Sequence, residues 1–244
     1  EFDQDRAAVI EHARAAGVET FYLPAIDSAY TERMLALEEA YPDNIRLMMG
    51  LHPTHVKENV AEELAHVKEM LDKHSFYAVG EIGIDLYWDK TFLKEQQAAF
   101  EQQIKWAKER KLPIVIHCRD AFEEVFEVLE ANKGEDLFGI FHCFTGTLEQ
   151  AKRAIGYNLK LGIGGVVTFK NGKIDQFLAQ LPLTSIVLET DSPYLAPAPY
   201  RGKRNESAYL SLVAKKLSAI YSLPVEEIVN QTTQNALAVF ETGI

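Results

Sequence analysis

Cysteine is almost absent from this chain. Its 244 residues include two, Cys118 and Cys143, too few for a disulfide framework and in keeping with a reducing cytoplasm. Both read as small buried thiols. No run of roughly 18 or more apolar residues occurs, which excludes a membrane-spanning helix. There is no GxSxG elbow, no P-loop and no Rossmann glycine fingerprint. Excess positive charge is also missing: 25 Lys and Arg face 36 Asp and Glu, a net charge of −11. That balance argues against a broad basic grip on nucleic acid. It leaves room for a phosphate substrate, because bound divalent ions supply strong local positive charge.

What is present is a core and a rhythm. Apolar residues make up 47% of the chain, enough for a full hydrophobic interior. Helical stretches are expected at 3–16, 28–40, 59–74, 92–111, 120–132, 148–156, 174–180, 205–221, 225–231 and 234–240. Between the earlier ones lie apolar runs that read as strands, at 18–25, 45–51, 76–84, 113–118, 138–144, 159–165 and 186–190. Strands separated by helices imply a parallel sheet with helices outside. The length suits a (β/α)8 TIM-type barrel of roughly 250 residues. No linker, low-complexity tract or composition shift divides the chain, so residues 1–244 are expected to form one domain. Seven strands leave a barrel open, and the chain starts at Glu1-Phe2 with a helix. The first strand is therefore expected upstream of residue 1.

Five apolar runs end in a histidine or a carboxylate. His52 follows Ile45–Leu51, Glu81 follows Phe76–Gly80, and His117 follows Pro113–Ile116. His142 follows Phe138–Phe141, and Asp191 lies just past Ile186–Leu188. In a parallel barrel these tips share the C-terminal face, where such barrels keep their active sites. Glu81, His117, His142 and Asp191 offer mixed nitrogen and oxygen donors that suit zinc, manganese or iron, and a carboxylate can bridge two ions. His52, fixed by Pro53, could bind metal, touch substrate or transfer protons; the last two readings are preferred. Asp85 shares a strand face with Glu81 and Gly83 and could orient a ligand or cap a turn.

Other residues fall beyond the strand ends. Arg119 follows His117-Cys118, and Arg201-Gly202-Lys203-Arg204-Asn205 is the densest basic patch; Arg and Lys there could hold phosphate. Tyr87, Trp88, Phe144 and Tyr194 could stack on bases or pack loops. Gly162, Gly164 and Gly165 allow close approach or tight packing. His12, His55, His66 and His74 read as surface residues.

The motifs Gly50-Leu51-His52-Pro53, Val79-Gly80-Glu81-Ile82-Gly83-Ile84-Asp85 and Leu112–Ala121 (LPIVIHCRDA) resemble those of the TatD family of metal-dependent deoxyribonucleases. So do Phe141–Gly146 (FHCFTG), Leu188–Leu195 (LETDSPYL), Arg201–Asn205 (RGKRN) and Asn235–Phe240 (NALAVF). The resemblance covers nearly the whole chain in order. It implies Glu81, His117, His142 and Asp191 as metal ligands, His52 and Arg119 as active-site residues, and a requirement for divalent ions of the Mg2+ type. Mn2+ or Zn2+ fits the histidines better. It further implies a two-ion phosphodiesterase on DNA, acting 3′ to 5′ on single strands or 3′ ends. Glu81 would bridge the ions, Asp191 or His52 would accept the proton of the activated water, and Arg119 with Lys203, Arg204 and Asn205 would steady the phosphates. The family opens with a His-x-His pair, which this sequence does not contain and which is expected on the upstream strand. Ser207 stands where the family usually has proline. A hydrolase of an ester, an amide or an aminoacyl-tRNA linkage is the alternative on the same barrel, and a non-catalytic scaffold a third class.

Overall fold

The computed structural model describes residues 2–241. Glu1 and residues 242–244, the extremes of the span expected as one domain, lie outside the described residues. The chain divides into two compact units.

One unit comprises Thr20–Phe141, Gly156–Leu159 and Val239–Ile244. It carries strands β1 (Phe21–Leu23), β2 (Ile45–Leu47), β3 (Val79–Asp85), β4 (Ile114–Arg119) and β5 (Gly139–Phe141). All are parallel: Phe21 pairs with Ile45, Val79 with Ile114, and Ile114 with Gly139. A bridge between Met49 and Val79 carries the run from β2 to β3. Helices α2 (Thr31–Ala40), α3 (Val60–Lys73), α4 (Leu93–Arg110) and α5 (Phe122–Ala131) connect them. Every residue of β3 is buried, as expected of a strand covered on both faces. Ile82, Ile84, Ile114, Ile116, Phe100, Phe126 and Phe141 are among the largest fully buried side chains.

The other unit comprises Glu1–Glu19, His142–Ile155 and Lys160–Ala238. It begins with α1 (Arg6–Ala15) and contains most of α6 (Leu148–Gly156). Strands β6 (Leu159–Ile163) and β7 (Ile186–Leu188) are also parallel, with Gly162 opposite Val187. Helices α7 (Leu210–Tyr221) and α8 (Val225–Phe240) close the chain. Asn235 on α8 donates through Nδ2 to the carbonyls of Leu183 (2.8 Å) and Ile186 (2.7 Å), anchoring the start of β7.

The seven expected strands are all found, most of them shorter than their apolar runs. The residues that follow β6 leave the ladder for a 3-10 turn at Gly165–Thr168. The helix expected at 174–180 is instead two 3-10 turns, Ile174–Gln176 and Leu178–Gln180. The two helices expected at 225–231 and 234–240 are one. Thr232 directs its hydroxyl to the carbonyl of Ile228 (2.8 Å), so the threonine pair is absorbed within α8 and does not break it. Among the described residues no helix is long and apolar enough to cross a membrane.

Candidate metal centre

Glu81 sits at a fault in the β3–β4 ladder. Gly80 pairs with Val115 and Ile82 with Ile116, so Glu81 is the extra residue of a bulge. A bulge re-aims a side chain, and here the Glu81 carboxylate meets two imidazoles. Glu81 Oε1 lies 3.0 Å from His117 Nδ1 and 3.7 Å from His52 Nε2. The two imidazole nitrogens are 3.2 Å apart. Two residues on, Gly83 has φ +142°, and a Cβ there would sit 2.0 Å from the carbonyl oxygen of His117. Only glycine lets β3 and β4 come this close.

Both imidazoles of this cluster are held from behind. His117 Nε2 lies 2.8 Å from Asp85 Oδ2, the carboxylate–histidine arrangement that fixes a ligand's tautomer and ring orientation. The other Asp85 oxygen accepts from the backbone N–H groups of Tyr87 (3.0 Å) and Trp88 (3.2 Å). His52 Nδ1 lies 2.7 Å from the Thr54 hydroxyl and accepts from the Thr54 backbone N–H (3.2 Å). The residue before His52 and the end of β3 are tied in turn to α4. Gln103 Oε1 accepts from the Leu51 N–H (2.7 Å), and Gln96 Oε1 accepts from the Asp85 N–H (2.8 Å). Seven residues is about two helical turns, so both glutamines project from the face that also buries Ala99, Phe100 and Ile104.

The electrostatics separate the two imidazoles. Burial, helped by the positive charge of His117, pushes His52 down to about 4. Burial opposes charge on His117 as well, but hydrogen bonds to Asp85 and Glu81 outweigh it and raise the imidazole to about 9. Burial likewise opposes charge on Asp85. The bond to His117 and the backbone N–H groups prevail and hold its carboxyl below the ordinary range. The neighbouring Cys118 thiol is pushed up to about 12 by burial, so it is a protonated, inert group.

The donor set fits a divalent ion. His52, Glu81 and His117 each offer one donor atom, all within 4.8 Å of one another. Ligands about 2.1 Å from a tetrahedral ion stand about 3.4 Å apart, close to the observed spacings.

The second unit holds its own cluster, built on β7 and the residue after β5. His142 Nδ1 forms a short ion-pair contact with Glu189 Oε2, and His142 Nε2 lies 3.4 Å from Asp191 Oδ1. Glu189 Oε2 also accepts from the Cys143 N–H at 3.0 Å. Glu189 Oε1 is buried with no hydrogen-bond partner. A Cβ on Gly164 would lie 2.3 Å from that oxygen, and one on Gly162 would lie 3.2 Å from Glu189 Cγ. An imidazole between two carboxylates, with one carboxylate oxygen unsatisfied, again suits a cation.

A sequence profile described as TatD related DNase matches residues 1–241. This chain belongs to the TatD family. The Bacillus subtilis protein YabD, named an uncharacterized metal-dependent hydrolase, is 39% identical over 242 residues, covering 98% of this chain and 94% of that protein. The match to Escherichia coli YcfH, also named an uncharacterized metal-dependent hydrolase, is 35% identical and spans 67% of this chain and 62% of that protein. The crystal structure of YJJV, a TatD homolog from Escherichia coli, superposes with a TM-score of 0.92 at 30% identity, covering 99% of this chain and 93% of that one. The fold class is thus α/β of the TIM-barrel type, and the chain is a metal-dependent hydrolase of the TatD family.

Against the TatD expectations, the structure brings Glu81 and His117 together and adds His52 as a third donor. His142 and Asp191 meet within the other unit. The phosphate candidates fare differently. Arg119 is exposed and Lys203 is exposed. Arg204 is already engaged: its guanidinium forms a paired fork on Asp5 (3.0 and 2.5 Å) and lies over the Phe2 ring. Asn205 is corrected from a substrate contact to a buried strut. It is 0% exposed, donates to the Tyr194 carbonyl (2.7 Å) and accepts from the Glu206 N–H (2.9 Å). His55 and His66 are corrected too. Both are half-buried and bonded, His55 Nδ1 to Asp27 (2.6 Å) and His66 Nε2 to the Thr31 hydroxyl (2.8 Å).

Sequence reasoning missed Glu189, Gln96 and Gln103 as site residues. Glu189 had a signal, since it directly follows a strand, two residues before Asp191. The glutamines had a weaker one: two amides seven residues apart on an otherwise apolar helix face.

Proposed function

We propose that this protein hydrolyses phosphodiester bonds in DNA, shortening single strands from the 3′ end with the help of two divalent ions. The observation that carries the reading is the group of His52, Glu81 and His117, three donor atoms within 4.8 Å backed by Asp85. These residues would hold one ion; His142, Asp191 and Glu189 would hold the other. Mg2+ follows from the family resemblance, and Mn2+ or Zn2+ from the imidazole donors. When bound, such ions acidify water and polarise the phosphoryl group.

The chain's own residues do the rest. Asp85 keeps the His117 ring oriented through Nε2, so that Nδ1 remains the donor. Asp191 accepts the proton released as water attacks. Arg119 offers its planar fork to a phosphate in a chain of net charge −11. The two free thiols support a cytoplasmic location.

The test is a 5′-labelled single strand incubated with Mg2+, Mn2+ or EDTA, beside Glu81→Ala. Stepwise, metal-dependent shortening is expected, with a loss of at least about 100-fold in the variant, as changing a group that only orients a ligand costs about 10–100-fold. Near-wild-type turnover by Glu81→Ala would refute the assignment. An inert but metal-loaded protein would move the reading to another hydrolysed bond.

A further inference from the structure

The loop after β3 carries two aromatic side chains in the open. Trp88 is 70% exposed and Tyr87 is 53% exposed. Their rings meet edge to face, with centroids 4.9 Å apart and planes at 88°. Arg119, at the end of β4, lies with its guanidinium carbon 3.7 Å from the Tyr87 centroid and 5.5 Å from that of Trp88. The cost of exposing a tryptophan is not relieved by loop packing, as the backing of Tyr87 by Arg119 leaves the Trp88 ring outside.

This loop is not loose. Asp85 accepts from the N–H groups of both Tyr87 and Trp88 through one oxygen while its other oxygen meets His117. At the far end Asp89 pairs with Lys57 (3.0 Å) and accepts from the Thr91 N–H (2.8 Å). The aromatic pair is therefore anchored to the same carboxylate that orients a candidate metal ligand.

We propose that Trp88, Tyr87 and Arg119 form a platform for one unpaired nucleobase of single-stranded DNA, with the neighbouring phosphate on Arg119. The inference rests on the DNA reading above and deepens it. Every base has a face that stacks on an aromatic ring or a guanidinium plane, which makes the contact sequence-tolerant. A chain of net charge −11 lacks the broad positive surface that usually supplies non-specific affinity, so stacking must supply more of it. A paired base is already stacked on both sides, so the platform selects unpaired ends.

Trp88 fluorescence tests this with chelator present, so that nothing is cleaved. The only other tryptophan, Trp106, is 9% exposed and contributes a constant background. Oligothymidylate is expected to quench the emission; an abasic oligonucleotide of equal length and charge is not, and should bind about tenfold more weakly, towards the lower end of what one stacked base contributes. By fluorescence anisotropy of labelled oligothymidylate, Trp88→Ala should also lose about tenfold, and Trp88→Phe should recover most of it. Equal binding of the abasic strand, undiminished binding by Trp88→Ala, or no binding of either strand would overturn the platform. A Trp88 signal that follows protein concentration and ignores DNA would assign the surface to a second copy of the chain and overturn it as well. Hydrolysis of bis(p-nitrophenyl) phosphate by the wild-type protein with Mn2+ separates the two readings. If it persists without base-dependent binding, the platform alone falls; if it is absent too, the phosphodiesterase reading falls with it.

Discussion

Replacing Gln103 with leucine keeps the side-chain volume on α4 but removes the bonds to Leu51, whose N–H donates at 2.7 Å and whose carbonyl accepts at 3.3 Å. Both residues are 1% exposed, so water cannot replace the lost partner. An unsatisfied buried N–H costs about 1–3 kcal/mol, and the weaker carbonyl bond adds to it. A total near 3 kcal/mol lowers the melting temperature by about 6–12 °C for a protein of this size. Urea unfolding and calorimetry, each with metal removed, give the two numbers. The neighbouring Gln102→Leu, on a different face of α4, should stay within about 0.5 kcal/mol. Because Leu51 directly precedes His52, titration calorimetry with Mn2+ should also show weaker binding by Gln103→Leu. Equal stability of the two variants would refute the claim that this glutamine holds the segment that leads from β2 to His52.

Two further outcomes follow from the site. Gly83→Ala places a Cβ 2.0 Å from the His117 carbonyl oxygen at φ +142°, so it should cost more than about 3 kcal/mol and abolish tight metal binding; a normal melting curve would rule out the close β3–β4 approach. In EDTA, stability should peak near pH 6.5. His117, raised to about 9, stabilises the fold fully below its ordinary value and loses that contribution as pH climbs towards 9. His52, lowered to about 4, is held neutral in the fold, so stability falls as pH drops from 6.5 towards 4, where the unfolded chain takes the proton first. A flat stability profile between pH 4 and 9 would contradict both assignments.

The strands that carry the candidate site were legible before any coordinate, because apolar runs are readable. An apolar run that stops at an imidazole or a carboxylate marks an element, but its end only for His142, which directly follows β5; β3 and β4 run on past Glu81 and His117 to Asp85 and Arg119, and the residue directly after β7 is Glu189, with Asp191 two further on. The basic patch was misleading because charge alone does not say where a side chain points. Arg204 turned to Asp5 and Asn205 turned inward, and both outcomes depend on residues distant in the chain or on loop geometry. The bulge at Glu81 was hidden for a different reason: a ladder fault is a property of two strands and leaves no mark on either alone. The single α8 escaped because a threonine pair lowers helix propensity locally, while Thr232 satisfies its own hydroxyl within the helix.

The paired glutamines of α4 act as a gauge. Seven residues at about 1.5 Å each set their separation near 10 Å along the helix; Gln96 clips the end of β3 and Gln103 the segment between β2 and His52. The distance between Leu51 and Asp85 is thereby metered by a rigid rod and not by the loops that follow them. Those loops can lengthen, shorten or change composition in evolution while His52 and Asp85 keep their spacing, so the surface that meets a substrate is free to drift around a fixed chemical centre.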